Sequence, residues 1–158
     1  MPRTVLLRDW LDRHLVRSHT EEELKNGYSL EPASADASFR RYFRVSLPDG
    51  STRIVMDAPP ELEDCRPFLE VAALLREAGV HAPEVFAEDL SQGSLLLSDL
   101  GSTTYLSVLN ADTAPKLYRD ANAALVDIQR ASRSGVLPEY DRALLTRELN
   151  LFPDWYVA

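Results

Sequence analysis

The sequence predicts an α+β fold in which five short antiparallel strands form one sheet. One main helix lies between the third and fourth strands, and more helices follow the sheet. Three observations predict it. Apolar residues near the amino end recur at spacings of three and four, while residues 39–57 alternate apolar and polar around a Pro-Asp-Gly turn. A glycine break at Gly101 then separates the strand-like runs from long helical periodicities. A chain of 158 residues, 45% of them apolar, is long enough to bury one substantial core.

The elements follow in order. In "RTVLLRDWLDRHLVRS", Leu6, Leu7, Trp10, Leu11 and Leu15 fall on one helical face. An acidic, glycine-ended stretch, "TEEELKNG", leads to a short strand, "YSLEPAS". In "FRRYFRVSL", Phe39, Arg41, Phe43, Val45 and Leu47 share one strand face, and Arg40, Tyr42, Arg44 and Ser46 share the other. Pro48 and Gly50 suit a turn, and "TRIVMDA" returns as the second arm of a hairpin. After Pro59 and Pro60, the segment from Asp64 to Ala78 presents Phe68, Val71, Ala72 and Leu75 on one helical face and closes at Gly79. "APEVFAEDL" and "SLLLSDL" are two more strands around the turn "SQG", the second leucine-rich enough to be buried. Beyond the break, Thr113 and Pro115 open a long amphipathic helix through "DIQRAS", and "YDRALLTRELNLFPDWYVA" is a further helix interrupted at Pro153.

Composition narrows the function. The formal net charge of −8, from 25 acidic against 17 basic residues, opposes binding to nucleic acid or to an anionic membrane. No apolar run reaches the roughly 20 residues that span a bilayer, and nothing at the amino end resembles a signal segment, so a cytoplasmic location is expected. The single cysteine, Cys65, excludes an internal disulfide framework and reads as a small apolar residue. The acidic runs "TEEE" and "PELED" add no histidine and no ligand spacing, and they read as solvated helix starts.

Against this acidic background, "SFRRYFRV" concentrates three arginines among three aromatics. It can be an amphipathic strand whose arginines face water or surface acids. It can be a local phosphate cradle, since a guanidinium meets phosphate oxygens with two parallel hydrogen bonds. A single-stranded nucleic-acid platform also uses such faces, but the acidic balance and the lack of a second basic cluster oppose it.

The order of elements, with "ASFRRYFRV", "VMDAPPE", "PFLEVAALLREAGVHAPEV" and "LLLSDLG", resembles the amino-terminal lobe of the kinase-like fold. More narrowly it is similar to the aminoglycoside phosphotransferase family, in the branch of anomeric sugar kinases acting on N-acetylmuramate and N-acetylglucosamine. The likeness runs from about Trp10 to Tyr156. It implies an amino end at residues 1–27, a nucleotide-binding lobe at 28–101, and a hinge and the start of a second lobe at 102–158. It also implies ATP and magnesium as cofactors and an amino sugar as the acceptor.

On that likeness, Ser34 and Ser38 offer hydroxyls to phosphate in a first loop without glycine, and Arg40 or Arg44 supplies the cation, with Arg41 and Arg53 weaker candidates. The Ser98 carbonyl and Leu100 amide meet the purine edge with Leu97 behind it, and Asp99 reads as a solvated turn residue. The strand lysine of kinases falls at about Asp57, and its glutamate partner near Phe68, with Glu70 two residues on. Lys25 and Lys116, the only lysines, are elsewhere. None of His14, His19 and His81 begins an H-x-D-x-x-x-x-N motif, and no later Asp-Gly pair follows, so catalytic and metal-binding residues are assigned to none of this chain. The expectation is a truncated product, inactive alone. Trp155, Tyr156 and the late helices would then favour self-association. The competing reading is a non-catalytic nucleotide-binding or partner-dependent interaction module.

Overall fold

The computed structural model describes residues 2–15, 27–35 and 38–157, with the side chains of Ser34 and Ala35 outside that description. The "TEEE" run and Lys25 also lie outside the described residues. The chain begins with helix α1 (Arg3–Leu15), followed by strands β1 (Ser29–Ala35), β2 (Arg41–Ser46) and β3 (Thr52–Asp57). Helix α2 (Arg66–Glu77) precedes β4 (Val85–Asp89) and β5 (Ser94–Ser98). Then come α3 (Tyr105–Val108), α4 (Ala114–Ala131), α5 (Arg142–Phe152) and a π-helical turn at Pro153–Val157. The five strands form one sheet in the order β1-β2-β3-β5-β4, and every neighbouring pair is antiparallel. The expected α+β class, with its five strands and intervening helix, is the architecture observed.

Both faces of the sheet are covered, and the alternation in β2 shows how. Val45 and Leu47 turn to one face, where they join Val55, Leu96 and the α1 residues Leu7, Trp10, Leu11 and Leu15, with Phe43 packed against them. Tyr42 turns to the other face, beside Met56, Ala58, Leu95, Leu97 and Cys65, with Phe68 and Leu69 of α2 against the cluster. Because β5 lies between β3 and β4 and is covered on both sides, three consecutive leucines are buried there. The amino-terminal helix therefore shares a core with the sheet.

Three expected faces are drawn differently. Leu6, expected on the buried face of α1, is 38% exposed, and Leu7, Trp10, Leu11 and Leu15 alone form the buried stripe. Phe39 does not join the core and is 61% exposed, because Ser38 and Phe39 form a bend and β2 starts only at Arg41. On α2 the sheet-facing residues are Phe68, Leu69 and Ala72. Val71 instead lines a cavity of about 460 Å³ with Leu74, Leu75, Ile128 and Val136, between α2 and the end of α4.

The β4–β5 turn depends on Gly93. Its φ is +69°, and an added Cβ would lie 1.7 Å from the Ala58 carbonyl oxygen, so only glycine allows this approach. The Gly93 carbonyl accepts the Ala58 amide at 2.8 Å, tying the turn to the end of β3. Helices α4 and α5 contain no buried residue; Leu149, Phe152, Trp155 and Tyr156 are prominently exposed. Among the described residues, no helix is long and apolar enough to cross a membrane.

Candidate nucleotide site

Register determines which arginines share a face. Arg44 of β2 pairs with Ile54 of β3, Ile54 with Leu97 of β5, and Leu97 with Val85 of β4. Tyr42, Met56 and Leu95 form the next row on the same face, the one covered by α2. Arg40 precedes this row at the other end of β2. At a rise of about 3.3 Å per residue, the backbones of Arg40 and Arg44 are about 13 Å apart.

Each of the three arginines has a different acidic partner. Arg40 Nε donates to Glu63 Oε2 at 3.2 Å, and the same carboxylate accepts the Phe39 amide at 3.3 Å. Burial works against the Arg40 charge, but hydrogen bonds with Glu63 and Tyr42 outweigh it and hold the guanidinium more firmly protonated than usual. Its side chain remains 33% exposed. Arg44 donates through Nε to Asp99 Oδ2 at 2.6 Å and through Nη2 to Asp99 Oδ1 at 3.2 Å. Arg41 turns to the opposite face, where its Nε meets Asp57 Oδ2 at 3.0 Å.

Asp57 is not aimed at the α2 face. Its side chain is 1% exposed and lies between Arg41 and Arg3 of α1, whose Nε donates to Oδ1 at 3.0 Å. On β3, the residues toward α2 are Ile54 and Met56, both apolar. Glu70 is exposed, and Phe68 packs on the sheet. Arg53 lies over the Phe86 ring at 4.6 Å.

The remaining predicted positions are placed as follows. The Ser38 hydroxyl accepts the Arg40 amide at 3.2 Å. Ser34 pairs with Tyr42 through the β1–β2 ladder, after an irregularity at Pro32. Leu97 is 3% exposed within the core between sheet and α2, whereas Leu100 is about half exposed. Ser98 is held by Glu84, since its amide donates to the Glu84 carbonyl and its hydroxyl accepts the Glu84 amide, both at 2.9 Å.

Two acids escaped the sequence reading. Asp99 is not a solvated turn residue: its side chain is 5% exposed, and bonds from Arg44 chiefly, with the Gly101 amide and Thr52, pull its carboxyl down to about 2. Glu63 belongs to the run read as solvated, yet its side chain is 14% exposed and anchors the exit of the first loop. No sequence signal pointed to either acid, since Glu63 and Asp99 are 23 and 55 residues from the arginines they meet. The plain reading of Cys65 holds, since it is buried and burial pushes its thiol up. Among the described residues no group of three or more His, Cys, Asp or Glu side chains is placed to hold a metal ion.

A five-stranded antiparallel sheet leading through a glycine-bent segment to helices fits the amino-terminal lobe of the kinase-like fold. Residues 29–158 match the APH family, described as the phosphotransferase enzyme family, and the chain belongs to that family. Its relatives are more particular. The chain is 59% identical over 129 residues to the N-acetylmuramate/N-acetylglucosamine kinase of Pseudomonas aeruginosa, covering 82% of this chain and 38% of that protein. It is 50% identical over 152 residues to the kinase of the same name from Pseudomonas putida, covering 94% and 44%. With that of Neisseria meningitidis serogroup B it shares 43% over 162 residues, covering 100% and 46%. The chain thus spans less than half the length of these relatives.

Proposed function

We propose that this chain is the nucleotide-binding portion of an ATP-dependent small-molecule kinase of the cytoplasm. The acceptor is an amino sugar of the class named by its relatives, whose family and names support a kinase reaction. The reading divides the chain into a nucleotide lobe at 28–101 and the beginning of a second lobe at 102–158. One observation carries it: a partly exposed arginine and a glycine-bent segment occupy opposite ends of one sheet face.

Arg40 takes the phosphates in this reading. Its Nε is engaged by Glu63, and its guanidinium still reaches the surface. The Ser98 carbonyl and Leu100 amide take the base edge, with Leu97 behind them. Bound magnesium would neutralise phosphate charge during transfer, and the described residues offer it no cluster of ligands. The same Glu63 that pairs with Arg40 also fixes the loop exit through the Phe39 amide, so the cation is positioned before ligand arrives.

Calorimetric titration tests the reading. Arg40→Ala should weaken ATP by about ten- to a hundredfold, the worth of a charged hydrogen bond, and should leave adenosine nearly unchanged. Equal losses for both ligands, or none for either, would contradict it.

A further inference from the structure

The Arg44–Asp99 contact joins two elements that the ladder does not bring together. Glu31 of β1 is the register partner of Arg44, yet the guanidinium fork reaches across β3 to the residue just after β5. Both oxygens of Asp99 accept from that fork, and Oδ1 also accepts the Gly101 amide at 2.8 Å. Gly101 has φ +85°, with open space where a Cβ would be, so the backbone conformation and not crowding requires glycine. The segment from Ser98 to Gly101 is therefore held at three points: Ser98 by Glu84, and Asp99 by both Arg44 and the Gly101 amide.

We propose that Asp99 and Arg44 are positioning residues for recognition of the purine base. This rests on the nucleotide reading above and assigns Arg44 a role different from that of Arg40. A bidentate pair fixes orientation as well as distance, and the groups it flanks are the Ser98 carbonyl and Leu100 amide. The fork commits both Nε and Nη2 of Arg44 to Asp99, whereas Arg40 meets Glu63 through Nε alone and keeps more donors for phosphate. Phosphate affinity then resides at the Arg40 end of the strand and base affinity at the Arg44 end.

The test is a three-ligand titration on the 158-residue chain, using adenosine, ATP and inorganic triphosphate. Asp99→Asn and Arg44→Lys should each weaken adenosine and ATP by the same factor, about three- to tenfold, and leave triphosphate unchanged. Arg44→Lys keeps the charge and loses the fork, so a matching loss from both variants identifies geometry as the cause. Arg40→Ala should show the reverse pattern, losing ATP and triphosphate and sparing adenosine. Melting curves on each variant establish the folded fraction, and a purely structural role would lower the melting temperature without the split between ligands. Unchanged adenosine affinity in both Asp99→Asn and Arg44→Lys, or a selective loss of triphosphate, would overturn the assignment. A wild-type chain that binds none of the three would overturn the nucleotide reading and this inference with it.

Discussion

Replacing Asp57 with alanine probes the junction between the amino-terminal helix and the sheet. The carboxylate is 1% exposed and is the shared acceptor of Arg3 from α1 and Arg41 from β2, so it ties the amino-terminal helix to the end of the β2–β3 hairpin. Removing one partner of a fully buried pair costs roughly 3–5 kcal/mol, because a charge is left buried. Here the arginines are 31% and 47% exposed and can rehydrate, which lowers the expected cost to about 2–3 kcal/mol. At about 2–4 °C per kcal/mol for a domain of this size, the melting temperature should fall by about 4–12 °C. Urea unfolding measures the free energy directly, and Arg3→Ala combined with Asp57→Ala in a double-mutant cycle isolates the helix-to-sheet part. A loss below about 1 kcal/mol for Asp57→Ala, or strict additivity of the two changes, would refute the reasoning.

Three further outcomes are expected. The Asp99 carboxyl is depressed from its ordinary value near 4 to about 2, so its stabilisation is complete above the unfolded value and is lost as pH falls from about 4 towards 2. Urea melts across that window should show wild type losing its advantage over Asp99→Asn, on the order of 1 kcal/mol after allowing for solvent screening, and parallel curves would contradict the pairing. Given ATP, magnesium and N-acetylglucosamine or N-acetylmuramate, the 158-residue chain should form no sugar phosphate above background, because it contains no H-x-D motif; protein-dependent turnover would show otherwise. The apolar side chains exposed on α4, α5 and the terminal turn should drive self-association, so sedimentation should give a dimer or larger species at high concentration, and a monomer without dye-binding surface would count against it.

The fold was legible because its signals are local. Alternation around Pro48 and Gly50 defines the β2–β3 hairpin, and the three- and four-residue spacing of Leu7, Trp10, Leu11 and Leu15 defines the buried stripe of α1. The buried run of leucines in β5 followed from composition. The site was legible only in part, because its contacts are distant in sequence. Arg44 and Asp99 are 55 residues apart, and Arg40 and Glu63 are 23 apart, so no periodicity links them. Asp57 was legible only as the position matching the strand lysine, because its partners Arg3 and Arg41 lie 54 and 16 residues away in sequence.

The central claim is that a nucleotide bridges the Ser98–Gly101 segment and Arg40, which mark the two ends of the face covered by α2. Backbone amide shifts in an ATP titration followed by nuclear magnetic resonance test this most directly. The largest changes are predicted at Phe39, Arg40, Leu100 and Gly101, with Leu7 and Leu11 on the opposite face unmoved. Shifts confined to the α1 face, or to the cavity lined by Val71, Leu74 and Ile128, would contradict it.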